Sequence, residues 1–355
     1  VGTGAGGPGG ILMRIATYNV EWFNTLFGDD GRMLDDNGRS GRHGISRGEQ
    51  LGALGHVFAA IDADAVMVIE APDINRRRDG RAALEGFAAR FGLRAREALA
   101  GYPNDTQQEI ILLYDPDSLD ADHAPLGPPT GSAGRDDAPR FDGTFRIDLD
   151  IDAKEDLVRW SKPPLEVALT TASGPMRLIG VHAKSKAPHG ATGPEEMMAI
   201  AIANRRKQLA QCVWLRQRVE QHLEAGDRLA VLGDFNDGPG LDEYEELFGR
   251  SGVEIVLGRG QPRDMRLFDP HAARALQSRV SAQPTTARFF LPEIGQYLAA
   301  LLDYIMVSPA LRPMARRWRI WHPFDDRACW QDETLREALL VASDHFPVTL
   351  DLETG

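Results

Sequence analysis

Short apolar runs alternate along this chain with longer segments of helical spacing, and a polar residue closes most of the short runs. ILMRIATYNVEWF (11–23) reads as a strand opening into a loop, with Asn19 and Glu21 where the apolar character gives way. Residues 65–69 form a second apolar strand, and Glu70 follows at once. QEIILLY (108–114) supplies another. The runs 165–169 and 177–181 predict neighbouring strands, the second closed by His182. A further strand over 229–232 lies within LAVLGDFNDGPG and stops at Gly233-Asp234, with Asn236 two residues on. Near the C-terminus, 301–307 carries Asp303 inside a strand-like run, and Asp344-His345 precede the apolar run 346–350. Helices are expected over 46–61, where Leu51, Leu54, Val57, Phe58 and Ile61 share one face, over 81–91, and over 194–224. Strands alternating with helices predict an α/β fold. Periodicity alone leaves open whether they make one sheet or two.

Two stretches break the pattern. GDDGRMLDDNGRSGRHG (28–44) is polar and glycine-rich, as befits a mobile loop or one that covers a site. Residues 115–140 are rich in Asp, Pro and Gly and read as an excursion outside the hydrophobic core. The first residues, VGTGAGGPGG, are small and precede Met13, so 1–12 are expected to be a flexible extension and 13–355 a single catalytic domain. No apolar run reaches membrane-spanning length, which argues against integral membrane association. Nothing points to an obligate protein partner. Cys212 and Cys329 are too few for a disulfide framework and are expected to be free thiols. A reducing cytoplasm is the default that follows, with secretion of a processed chain left open. The formal net charge of -12 argues against a broad basic surface gripping a nucleic-acid backbone. It leaves room for a local basic cleft, and a bound divalent cation would offset carboxylates at one site. Small phosphorylated substrates therefore stand beside nucleic acid as candidates.

Each polar residue at a strand end has an ordinary reading. Asn19 fits a turn, Glu70 a cap, and Asp234 with Asn236 an Asx-type turn. Their ordered recurrence in ATYNVEWF, VMVIEAPD, VHAKSK, VLGDFNDGPG, LDYIMV and VASDHFPVTL does not. In that order the blocks resemble the endonuclease/exonuclease/phosphatase superfamily, which includes DNase I-like nucleases, abasic-site nucleases and inositol phosphatases. The likeness spans most of 14–352. It implies a four-layer α/β sandwich, with two central mixed β-sheets face to face and helices on their outer faces.

The resemblance also implies roles. Asn19 matches the polar residue of the first strand, Glu70 the principal metal-binding Glu, and His182 a histidine near the scissile phosphate. Asp234 and Asn236 match the pair of the GDFN block, and Asp344 and His345 the terminal SDH pair. Asp303 matches the Asp of an RxDYI-like block, although Leu301 stands where that block has its Arg. Glu21 corresponds to an acidic position in some relatives, an additional metal or water ligand. WSKPPL (160–165) is similar to an SRPPL-type segment in which Lys162 replaces the Arg, losing its bidentate fork.

The chemistry is consistent with those roles. Mg²⁺ prefers oxygen ligands, which Glu70, Asn19 and Asp344 supply, and Mn²⁺ would serve the same set. His345 is expected to take a proton from attacking water while Asp303 orients its other nitrogen, with Asp234 as the competing base. His182 would donate to phosphate or protonate the leaving oxygen, and Asn236 would hold water or a phosphate oxygen. Lys184, and less strongly Arg205 and Arg206, are the expected phosphate contacts. The implied activity is that of a metal-dependent phosphoric ester hydrolase, a nuclease-like phosphodiesterase first and a phosphatase of small metabolites or lipid headgroups second. A catalytically inactive binding protein of the same fold is the third reading. IDLDIDAKED (147–156) alternates as a strand with an acidic outer face and lacks the pattern of an EF-hand. Phe289-Phe290 read first as packing residues, with an approach to substrate as the alternative, and no regular interleaving of basic and aromatic residues establishes a single-strand channel.

Overall fold

Inside-outside alternation along the strands decides the architecture. The computed structural model describes residues 12–148, 155–188, 190, 193–239, 249–277, 282–291 and 295–354. In chain order its strands are β1 (Leu12–Asn19), β2 (Ala65–Ala71), β3 (Glu97–Ala100), β4 (Glu109–Tyr114), β5 (Asp120–His123), β6 (Phe145–Ile147), β7 (Asp156–Val158), β8 (Leu165–Thr171), β9 (Gly174–His182), β10 (Leu229–Asp234), β11 (Ala287–Leu291), β12 (Gln296–Ala300), β13 (Asp303–Val307), β14 (Ala315–Ile320) and β15 (Val348–Glu353). The main helices are α1 (Arg47–Ile61), α2 (Gly80–Phe91) and α3 (Pro194–Glu224), with a further helix at Glu333–Ala342.

Two sheets result, one ordered β14-β15-β1-β2-β4-β3 and the other β13-β10-β9-β8-β5. Both are mixed: β1 runs parallel to β2, β9 parallel to β10, and the other neighbours are antiparallel. Ile15, Met67 and Leu350 of the first sheet pack against Val167, Leu178, Leu232 and Ile305 of the second. The opposite faces are covered by helices. Tyr18 and Val68 meet Leu54 and Phe58 of α1, Phe87 of α2 and Leu339. Ile179 and Val231 meet Trp214, Leu215 and Val219 of α3. The molecule is therefore a helix–sheet–sheet–helix sandwich, as the resemblance implied. Burying both faces of each sheet is what makes its strands read as nearly continuous apolar runs.

Three local expectations need amendment. Within 115–140, Asp120–His123 forms the edge strand β5, and Leu119 and Ala138 are buried. Its alternating acidic residues hid a short edge strand, whose outer positions are free to be charged. Asp303 opens β13 and is not inside it, because the N–H groups of Leu302 and Asp303 both donate to Thr286 Oγ1 and leave the ladder there. The extension expected over 1–12 lies outside the described residues except for Leu12, which already belongs to β1. Most of 147–156 is likewise outside them, and its flanks Phe145–Ile147 and Asp156–Val158 pair as a two-stranded ribbon.

Candidate active site

Strand register assembles the site. His182 ends β9, Asp234 ends β10 and Asp303 begins β13, and Asp234 is the register partner of both. All three share the parity of inward-facing residues such as Leu178, Leu232 and Ile305. They form a row across adjacent strands at one end of the inter-sheet core, where apolar pairing stops. Gly233 permits this at β10: its φ is 140°, and a Cβ there would sit 2.0 Å from the Val181 carbonyl oxygen. Asn19, the last residue of β1 in the facing sheet, donates from Nδ2 to Asp234 Oδ2 at 3.0 Å. Glu70 sits at a shift in the β2–β4 register with φ 62°, so its side chain leaves the alternation and turns toward the site.

The hydrogen bonds are dense but incomplete. His345 Nδ1 lies 2.7 Å from Asp303 Oδ2. Asp234 accepts from the Asn236 N–H at 2.7 Å and from Asn236 Nδ2 at 3.1 Å, and lies 3.7 Å from His182 Nε2. His182 Nε2 is 3.1 Å from Lys162 Nζ and 3.8 Å from Glu70 Oε1. Glu70 Oε2 accepts from Gln108 Nε2 at 2.6 Å. Glu21 pairs with Arg42, whose guanidinium lies 4.0 Å from Asp344 Oδ1. Asn19 Oδ1, His182 Nδ1, Asp303 Oδ1 and Asp344 Oδ1 are buried without a hydrogen-bond partner among the described residues. Buried polar atoms are normally satisfied, so a cluster of orphans marks where a ligand is expected.

Burial dominates the electrostatics. It raises Asp234 to about 7, against the lowering effect of His345. It raises Glu21 to about 7 and, with Asp344 adding to it, outweighs Arg42. Burial also raises Glu70, opposed by Lys162 and His345. Burial works against a charged His345, but Asp303, Asp234 and Asp344 outweigh it and hold the imidazole well above its ordinary range. Burial, reinforced by Lys162 and His345, keeps His182 well below that range. Lys162 is lowered by burial, with Glu70 and Asp234 opposing.

Two sets of atoms suit a cation. Asp234, Asp303 and His345 bring ligand atoms within 4.8 Å of one another, a candidate metal cluster. Within it, the Asp303–His345 hydrogen bond already occupies one atom of each residue. The second set is the Glu70 carboxylate with the orphaned oxygens of Asn19 and Asp344, all lining the same hollow of about 770 Å³. That all-oxygen set fits a hard divalent ion better than one containing imidazole.

Asn19, Glu21, Glu70, His182, Lys184, Asp234, Asn236, Asp344 and His345 all line this hollow. Asp303 stands behind it, buried against His345. Arg205 and Arg206 are not among the lining residues. Arg206 instead reaches Asp156 at 3.1 Å and borders a separate hollow near β7. Sequence reasoning did not single out Gln108, which holds Glu70, or Arg42, which holds Glu21. Gln108 had a readable signal, a polar residue immediately before an apolar run. Arg42 had none, because its loop carries several arginines.

No protein-family model matches the chain, and no curated protein matches it. Solved structures do. An endonuclease/exonuclease/phosphatase family protein from Bacteroides thetaiotaomicron is similar with a TM-score of 0.51 and 14% identity, over 97% of this chain and 98% of that one. A mannosyl-6-phosphatase from the same organism is similar with a TM-score of 0.50 and 14% identity, over 95% of this chain and 98% of that one. At such identities the likeness is one of fold. The chain has the DNase I-like fold of the endonuclease/exonuclease/phosphatase superfamily.

Proposed function

We propose that this chain is a divalent-metal-dependent phosphohydrolase that cleaves phosphodiester bonds of nucleic acid with water as the nucleophile. One observation carries this reading: carboxylates, imidazoles and amides from both sheets line one hollow, and three of their buried polar atoms lack a hydrogen-bond partner among the described residues. Burying so many ionisable groups is costly, and a binding or structural role alone would not require it. Glu70, Asn19 and Asp344 would hold Mg²⁺, or Mn²⁺ in its place. Bound there, the ion would polarise phosphate oxygens and offset the surrounding negative charge.

The charge balance favours a different division of labour from the one expected by residue type. Asp303 and Asp234 keep the proton on His345, whereas Asp234 itself has a pKa near neutrality. Asp234 is then the better acceptor for the proton of attacking water, with Asn236 and Asn19 fixing its oxygens. The His345 imidazolium, oriented by Asp303, donates to a phosphate oxygen as negative charge develops. Lys162 Nζ lies 3.1 Å from His182 Nε2, and in this reading the imidazole orients the ammonium group toward the phosphate. Water oxygen bonds to phosphorus, the ester P–O bond breaks on the opposite side, and the leaving oxygen takes its proton from solvent.

The net charge of -12 gives weight to the runner-up, a phosphatase of small phosphorylated metabolites, because long-range attraction for a polyanion is weak. Nicking of supercoiled plasmid with Mg²⁺, set against phosphate release from a panel of phosphomonoesters, separates the two. Plasmid cleavage that disappears in Asp234→Asn supports the nuclease reading. Monoester turnover without cleavage of either plasmid or single-stranded DNA overturns it in favour of the phosphatase.

A further inference from the structure

The hairpin β11–β12 is rooted in the candidate active site. The Arg288 N–H donates to the Asp344 carbonyl at 2.7 Å, and the Phe346 N–H donates to the Thr286 carbonyl at 2.6 Å. Alternation gives the hairpin two faces. Phe289, on one face, lines the catalytic hollow. Arg288, Phe290 and Tyr297 belong to the other. Phe290 and Tyr297 are cross-strand partners with ring centroids 5.2 Å apart. The Arg288 guanidinium lies 3.7 Å from the Tyr297 centroid and 5.4 Å from that of Phe324. Phe324 in turn meets Trp330 at 6.3 Å, and Arg336 lies 5.0 Å from the Trp330 centroid.

The hairpin and the stretch 324–336 thus build one strip of rings and guanidinium groups, on the hairpin face opposite the one that Phe289 turns to the hollow. Its rings face solvent: Phe290 is 49% exposed, Tyr297 56%, Phe324 41% and Trp330 52%. Rings recruited only for packing would be covered, and a clustered exposed patch marks an interaction surface. Among the described residues, Arg288 makes no side-chain hydrogen bond or ion pair, so its donors stay open while ring faces hold its plane.

We infer that this strip is a stacking platform for the unpaired nucleotides of a single-stranded nucleic acid whose scissile phosphate occupies the hollow. The inference rests on the nuclease reading above and narrows its substrate class. Every base offers a π-face to an aromatic ring, and an arginine fixed between rings offers donors to the phosphates connecting those bases. A duplex hides its base faces in its own stack, and a small phosphomonoester does not reach beyond the hollow.

The test is fluorescence anisotropy with a labelled, cleavage-resistant phosphorothioate oligothymidine in Mg²⁺, compared with a blunt duplex of equal length. The parent protein should bind the single strand more tightly than the duplex. Tyr297→Ala and Trp330→Ala should each weaken single-strand binding about tenfold, the scale of a lost base–aromatic stack. Tyr297→Phe should keep the parent's affinity, and hydrolysis of bis(p-nitrophenyl) phosphate should be unchanged in all three variants. Equal binding of duplex and single strand, or alanine variants that bind like the parent, would overturn the platform. A parent that hydrolyses no diester, while the alanine variants still lose single-strand binding, would overturn the catalytic reading alone and leave the platform standing.

Discussion

Two regions of this molecule bury charge, and they do it in opposite ways. In the first, Arg218 of α3 is fully buried and pairs with Glu166 of β8. Its remaining donors reach the carbonyls of Ala138 and Pro139 and the side chain of Gln221. Glu166 also accepts from the Leu126 N–H. That network ties the segment before β6 onto the sandwich. In the second, the hollow at the strand ends, Asp234, Asp303, Glu70 and Asp344 crowd together, and several of their neighbours' atoms lack partners. Satisfaction is what separates the two. A completed network is a clamp, and an incomplete one is a site that awaits a ligand.

Mutations can break this contrast from either side. The largest effect belongs to the incomplete network: Asp234→Asn should lower turnover by roughly 10²–10⁴-fold, the usual scale for losing a general base. Its chemical-denaturation midpoint should stay at or above the parent's, since a buried carboxylate is replaced by a neutral amide. A variant that unfolds, or that turns over like the parent, would place Asp234 on the clamp side of the contrast. The completed network should respond in reverse. Arg218→Met leaves Glu166 buried and alone, which costs about 3–5 kcal/mol. Urea melts should show that loss, while activity per folded molecule is unchanged.

The incomplete network was also the more legible of the two in the sequence. His182 and Asp234 each end an apolar run, and a strand end is a local feature, whereas Asp303 read as lying inside its run. Asn19 and Glu70 follow the same pattern on the facing sheet. What joins them is register, which a linear pattern does not contain. Arg42 comes from a loop with several arginines, and Gln108, although it opens an apolar run, was not singled out. Arg206 shows a different limit: a basic residue on the following helix looked available, but its side chain reaches Asp156 and borders a separate hollow. The strip beside the hairpin was invisible for the same reason as the register. Phe290 lies more than 30 residues from Phe324 and Trp330, and the linear pattern does not show that they meet.

A smaller effect sharpens the choice between the two cation sets. Mg²⁺ at 100 times its dissociation constant should stabilise the folded protein by about 2.7 kcal/mol. If Glu70 is the principal ligand, Glu70→Gln should abolish most of that gain in melts with and without Mg²⁺. If the gain survives in Glu70→Gln and vanishes in Asp303→Asn, the ion belongs with Asp234, Asp303 and His345.

The smallest effect is a slope. In the metal-free protein burial raises Asp234, Glu21 and Glu109 to about 7, against ordinary values of 3.8 for Asp and 4.5 for Glu. Between about pH 4 and pH 7 the folded chain therefore holds protons that the unfolded chain has released. Stability changes with pH as the protons bound unfolded minus those bound folded, so it must fall as pH rises through this window. The contribution is complete below the unfolded values and is lost once pH passes about 7. Urea melts in EDTA across that range should show the decline, and Asp234→Asn should flatten it by removing one of the three groups. Mg²⁺ favours the ionised carboxylates, so it should flatten the slope as well, stabilising the protein more at pH 7 than at pH 5. Parent and Asp234→Asn declining in parallel would mean that Asp234 is ionised in the folded protein throughout, and its proton would then be no part of the site's chemistry.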